Sequence, residues 1–213
     1  MRRVFLIALL VTAAGCTKSE SYFFQGTLIE QQPGGATVEI PVLLERELIP
    51  SQNKIVILNH QAPKGSPRHF STIYDFSSGK MEMREGSNLL SQGTFHCERA
   101  GSGLDTLTAC TYAQQTPAGD SIRGTDSYDG TRTVSFDTAY TVKKENAVYR
   151  YSGGAQSLPE AEFRTLLKQR FPASSGCFIG PAGTDAVSGG ALVAGILIPV
   201  VLARARRRRG LPR

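Results

Sequence analysis

The sequence predicts a mainly antiparallel β domain with one C-terminal helix, curled into a barrel or a strongly curved sheet, with a two-sheet β-sandwich as the alternative. Three features carry this. From Tyr22 onward apolar and polar residues alternate with period two, and turn-forming residues recur at intervals of about eight to twelve. One stretch near residue 160 switches instead to helical spacing. Residues 22–171 hold this domain, about 150 residues, enough for one hydrophobic core.

Pro33-Gly34-Gly35 makes the first turn. After it Ala36, Val38, Ile40, Val42 and Leu44 share one face of a strand. Pro41 has no N–H to give to a ladder, which marks that strand as an edge. Residues 54–59 are apolar on both faces through Ile55, Val56, Ile57 and Leu58, the pattern of a central strand, and residues 61–67 form a loop with two prolines and a glycine. Phe70, Thr72, Tyr74 and Phe76 line one face of the next strand, which turns at Ser77-Ser78-Gly79 into residues 80–84, where Met81 and Met83 alternate with charge. Residues 88–97 and 104–112 flank Gly101-Ser102-Gly103 as a hairpin that brings Cys97 and Cys110 across from each other. Asp129-Gly130 predicts a two-residue type I′ turn, because both central positions of that turn need positive φ. Val134, Phe136, Tyr140 and Val142 face inward after it, and residues 143–146 turn the chain into a last strand at 147–151.

The helix follows. Ser157 and Glu160 have the spacing of a capping box, with Pro159 in the first turn. Phe163, Leu166, Leu167 and Phe171 fall on one side, an apolar face for packing on the sheet or plugging a barrel end, and Pro172 ends the helix.

The chain ends carry addresses. Arg2 and Arg3 lead into an apolar run from Val4 to Val11 and then into Thr12-Ala13-Ala14-Gly15-Cys16. A basic start, a short apolar stretch and a small-residue exit make a secretory signal peptide, since a bilayer span needs about 20 residues. The small residues before Cys16 resemble the lipobox of bacterial lipoproteins. That resemblance implies cleavage ahead of Cys16, a lipid on Cys16 and residence in the bacterial cell envelope. Ala13 and Gly15 also satisfy an ordinary signal-peptidase site, which would leave Cys16 a free or bridging thiol.

At the other end, Ser188-Gly189-Gly190 opens an apolar run to Ala203, followed by Arg204 and by Arg206, Arg207, Arg208 and Arg209. Counted from Ala186, about 18 residues span roughly 27 Å, near the thickness of a bilayer core. The arginines would stay cytoplasmic and hold the domain on the periplasmic or extracellular side. Small residues, a short helix and an arginine cluster resemble the C-terminal sorting tails of some Gram-negative exported proteins, of the Gly-Gly type or the myxobacterial type with an upstream cysteine. In that resemblance Cys177, Gly189 and Gly190 are the sorting or processing residues, and the tail is removed; a permanent anchor is the alternative. The chain therefore divides into a signal peptide (1–15), a tether (16–21), the β-rich domain (22–171), a Gly/Ser/Pro/Ala linker (172–187), a transmembrane or sorting helix (188–203) and an Arg-rich cytoplasmic tail (204–213).

The net charge of +6 belongs to those ends. Two arginines sit in the leader and six in the tail, which leaves 16 basic against 18 acidic residues in between. The exported domain is slightly acidic, and the basic surface of a nucleic-acid binder is missing. Of four cysteines, Cys97 and Cys110 are the natural disulfide once Cys16 is lipidated, closing a loop of about 14 residues.

Chemistry is sparse. His60, His69 and His96 are the only histidines; no zinc-binding spacing is present, and on a strand His96 and Cys97 point to opposite faces. The histidines read as surface or loop residues. Ser77-Ser78-Gly79-Lys80 has the Ser-x-x-Lys spacing of penicillin-binding enzymes but lies in a turn and lacks the partner motifs. Asp120, Asp126, Asp129 and Asp137 surround one hairpin without the ladder of a calcium loop, which reads as solvated acids beside turns. Met81 and Met83 with Phe70, Tyr74 and Phe76 form a core or line an apolar ligand cavity. No catalytic set, metal or cofactor emerges. The expected function is a non-enzymatic, membrane-anchored envelope lipoprotein that binds an apolar small molecule or an envelope protein, held to lipid through Cys16 and helix 188–203. The alternative is an envelope hydrolase or metal-dependent enzyme using His60, His69 and Asp105.

Overall fold

The computed structural model describes residues 19–63 and 66–171. Ten strands run in order around a closed antiparallel barrel: β1 (Glu20–Gln31), β2 (Thr37–Ile49), β3 (Lys54–Gln61), β4 (Arg68–Asp75), β5 (Lys80–Glu85), β6 (Asn88–Arg99), β7 (Leu107–Gln115), β8 (Ser121–Asp129), β9 (Thr133–Val142) and β10 (Ala147–Ser157). Each pairs with its sequence neighbours, and β1 closes on β10 through Phe24 opposite Ser157 and Gln31 opposite Arg150. The barrel form of the expected fold is the one adopted; closure gives every strand a neighbour on both sides. We call the end reached by the connections after β1, β3, β5, β7 and β9 the upper end, and the opposite one the lower end.

Period-two patterning becomes an inner and an outer face. Phe24, Leu28, Ile40, Val42, Leu44, Ile55, Ile57, Phe70, Tyr74, Met81 and Met83 all point inward and are buried in one cluster. Burying such side chains contributes about 1.5–3 kcal/mol each. Met81 and Met83 thus belong to the buried interior. Where β1 meets β10 the strands come so close that a Cβ at Gly26 would run into the Gly154 carbonyl oxygen, so this seam requires glycine.

Three local expectations change. β2 is not an edge strand, but it outruns β3, whose ladder stops at Val42 opposite Gln61, so Pro41 pairs only with β1 and its missing N–H costs no bond to β3. The Asp129-Gly130 turn spans three residues, 130–132, between the paired Asp129 and Thr133, and of them only Gly130 takes positive φ, so it is not type I′. The Ser157–Glu160 capping box does not form. β10 continues through Ser157 because Ser157 pairs with Phe24, and the helix α1 (Glu160–Arg170) starts at Pro159 without a side-chain cap.

α1 packs on the outer wall rather than plugging an end. Outward-facing Phe23 and Leu43 form a second buried cluster with Phe163, Leu167 and Phe171. Arg164 fastens the helix, donating to Glu45 on β2 at 3.0 and 3.2 Å and lying over the Phe23 ring at 5.0 Å. No helix among the described residues is long and apolar enough to cross a membrane. Cys16, Cys177, Gly189, Gly190 and the 188–203 segment lie outside the described residues.

Candidate functional site

The hairpin logic around Gly103 holds: Cys97 on β6 and Cys110 on β7 are directly paired and joined by a disulfide. Cys110 faces the interior, as does its other cross-strand neighbour, Asp126 on β8.

The barrel interior is where polar chemistry gathers. Toward the upper end, Glu30, Asn59, Gln61, Ser91, Gln114 and Tyr151 are buried on the inner face, with Thr72 near the middle. Ser91 donates to Gln114 Oε1 at 2.6 Å, which leaves Gln114 Nε2 buried with no partner among the described residues; Thr72 Oγ1 is in the same condition. Tyr140 donates to Asp120 at 2.7 Å.

The lower half holds a second network. Asp126 is buried and accepts from Tyr74 at 2.7 Å and, at longer range, from Tyr128 at 3.5 Å, both through Oδ2; its Oδ1 has no partner among the described residues. Burial pushes this carboxyl up to about 7, while the surrounding tyrosine hydroxyls, Tyr74 foremost, pull it back. The Tyr112 hydroxyl bonds Thr138 at 2.6 Å. Two of the four acids expected to be solvated are therefore buried: period two turns Asp126 inward on β8, and Asp120, just before β8, accepts from Tyr140 and from the Lys143 N–H; Asp129 and Asp137 are exposed. Beside this network Arg46 enters from β2 with 2% exposure, between the rings of Tyr22, Phe24 and Tyr128, its guanidinium 5.1 to 5.5 Å from their centroids. Burial pushes its pKa down.

The histidine expectation needs correction. His60 and His69 are strand residues, paired between β3 and β4, with Nδ1 atoms 2.7 Å apart. They lie on the outer wall beneath α1, each ring 5.8 Å from that of Phe171. Burial, then His69 and Arg164, pushes His60 down to about 3; burial also lowers His69. Asp105, the third member of the enzymatic alternative, sits in the β6–β7 connection at the lower end, while the histidines flank the β3–β4 connection at the upper end. His96 is exposed on the outer face of β6. Arg46 and the inward polar side chains escaped the sequence reading. The one signal was their parity with Leu44, Ile57 and Tyr74 on otherwise apolar faces.

The site thus defined is the interior of a closed antiparallel barrel, polar in places and lined by aromatic rings. No protein-family model and no curated protein matches this sequence.

Proposed function

We propose that the chain is an exported, membrane-anchored lipoprotein of the bacterial envelope that holds a small ligand inside its barrel and performs no catalysis. One observation carries the ligand: buried inner-face groups, Thr72 Oγ1, Gln114 Nε2, Asp126 Oδ1 and Arg46 Nε, have no hydrogen-bond partner among the described residues. Leaving such groups unpaired costs about 1–3 kcal/mol each, so a bound molecule or bridging water that meets them is strongly favoured. The apolar remainder of the interior suits a ligand whose body is apolar.

The anchor rests on the chain ends: the lipobox-like exit at Cys16, and the apolar run 188–203 with its arginines. A hydrolase using His60, His69 and Asp105 is the weaker reading, because Asp105 and the histidine pair stand at opposite barrel ends. Intact-mass spectrometry on protein recovered from the host membrane, beside Cys16→Ser, tests the anchor. The expected species starts at Cys16 with diacylglycerol and acyl mass, and this mass is lost in the variant. An unmodified N-terminus would overturn lipidation, and the same spectrum reads whether the tail beyond Gly190 survives.

A further inference from the structure

We propose that Arg46 anchors an anion site in the lower half of the barrel, and that the molecule it holds has a carboxylate head on an apolar body. The inference rests on the ligand-holding reading and names its chemistry.

An arginine is almost never fully buried unless paired, because an unpaired charge in a low-dielectric interior costs several kcal/mol. Arg46 is 2% exposed, yet none of the ion pairs among the described residues includes it. Of the five N–H donors of its guanidinium, one is placed on the Gly130 carbonyl at 3.1 Å, and Nε is buried with no partner among the described residues. The rings of Tyr22, Phe24 and Tyr128 meet the cation with their faces, and neither tyrosine hydroxyl accepts a hydrogen bond from it. Tyr22 already spends its hydroxyl on Glu20, at 2.7 Å. Asp105, whose field reaches the guanidinium, is exposed in its turn and outside ion-pair distance.

The missing partner is therefore an acceptor that lies in the plane of the fork, the geometry of a carboxylate. One positive charge matches one carboxylate: the inner faces of β1, β2, β3 and β8 carry no second basic residue to balance a doubly charged head. The neighbours that would meet the rest of the ligand are apolar. Leu44 and Leu48 flank Arg46 on the inner face of β2, and Ile57 is its directly paired residue on β3.

The test titrates the full chain with hexanoate and with hexanol by calorimetry, for the wild type, Arg46→Met and Arg46→Lys. Replacing an unpaired buried cation by an apolar side chain of similar length preserves the fold, which circular dichroism and Tm verify. Expected is hexanoate binding that weakens at least about tenfold in Arg46→Met and less in Arg46→Lys, with hexanol affinity changed less than about twofold. Hexanoate binding that survives Arg46→Met, or a parallel loss for hexanol, overturns the anion site while leaving a ligand-holding barrel intact. Absence of hexanoate binding to the wild type, with hexanol bound, also overturns it. Absence of both removes the site and weakens the ligand reading itself.

Discussion

His60 on β3 and His69 on β4 share a single hydrogen bond, Nδ1 to Nδ1 at 2.7 Å, under the aromatic lid of α1. That bond needs one ring to donate and the other to accept, so the two facing nitrogens cannot both carry a proton. His60 is depressed to about 3 in the folded chain against about 6.5 unfolded. Between these values the unfolded chain binds more protons, so His60 costs nothing above about pH 6.5 and destabilises progressively as pH falls toward 3. His69 acts in the same sense.

Asp126 works in the opposite direction. Its carboxyl is raised to about 7 against an unfolded value near 3.9, so the folded chain keeps the proton longer. Its stability contribution is full below about pH 4 and is lost as pH rises through about 7. The two groups offset each other between about pH 4 and 6.5. Urea titrations across that window should show a flatter wild-type profile than either variant: His60→Leu falls in stability with rising pH, and Asp126→Asn rises. Profiles parallel to the wild type in both variants would contradict these assignments.

The disulfide ties β6 to β7 beside the buried Asp126. Cys97→Ser with Cys110→Ser should cost about 3 kcal/mol, the loop-closure value for roughly 14 residues, read as a lower urea midpoint. Unchanged stability would mean that the ladder alone sets the hairpin.

Among the side chains of helix α1, Phe163 is the most deeply buried. Phe163 is fully buried against Phe23, with ring centroids 4.9 Å apart. Phe163→Ala should cost about 3–5 kcal/mol of the helix-to-wall contact. Hydrogen exchange should then quicken in residues 160–170 and leave the β1–β10 seam protected. Exchange rising equally in both would mean that helix and barrel unfold as one unit.

The seam makes a complementary point about backbone. Gly26→Ala should disrupt barrel closure, since the new Cβ meets the Gly154 carbonyl rather than a flexible side chain. Loss of cooperative thermal unfolding is the expected result.

How much of this the sequence disclosed follows from what each signal depends on. Period two in β4 and β9 put Phe70, Tyr74, Phe136 and Tyr140 inside, and hairpin spacing paired Cys97 with Cys110, because both depend on neighbours along the chain. Turn details were less legible. The register at Asp129 is set by the whole β8–β9 ladder, and Ser157 is drawn into β10 by Phe24, some 130 positions earlier. The candidate site depends on positions far apart in the chain. Arg46 looks like one more polar residue on a strand until Tyr22 and Tyr128 are seen to enclose it. His60 looks like a loop residue until the ladder to His69 extends β3 to Gln61. Parity could have flagged Arg46, Asn59 and Asp126 as inward; their partners were not legible.

The central claim is that the barrel holds a small molecule. Native mass spectrometry of the full chain purified from its host, compared with the same sample under denaturing conditions, tests it most directly. The account predicts a discrete noncovalent mass that is released on denaturation and is diminished in Arg46→Met. Identical native and denatured masses for the wild type, with no small molecule released, would contradict it.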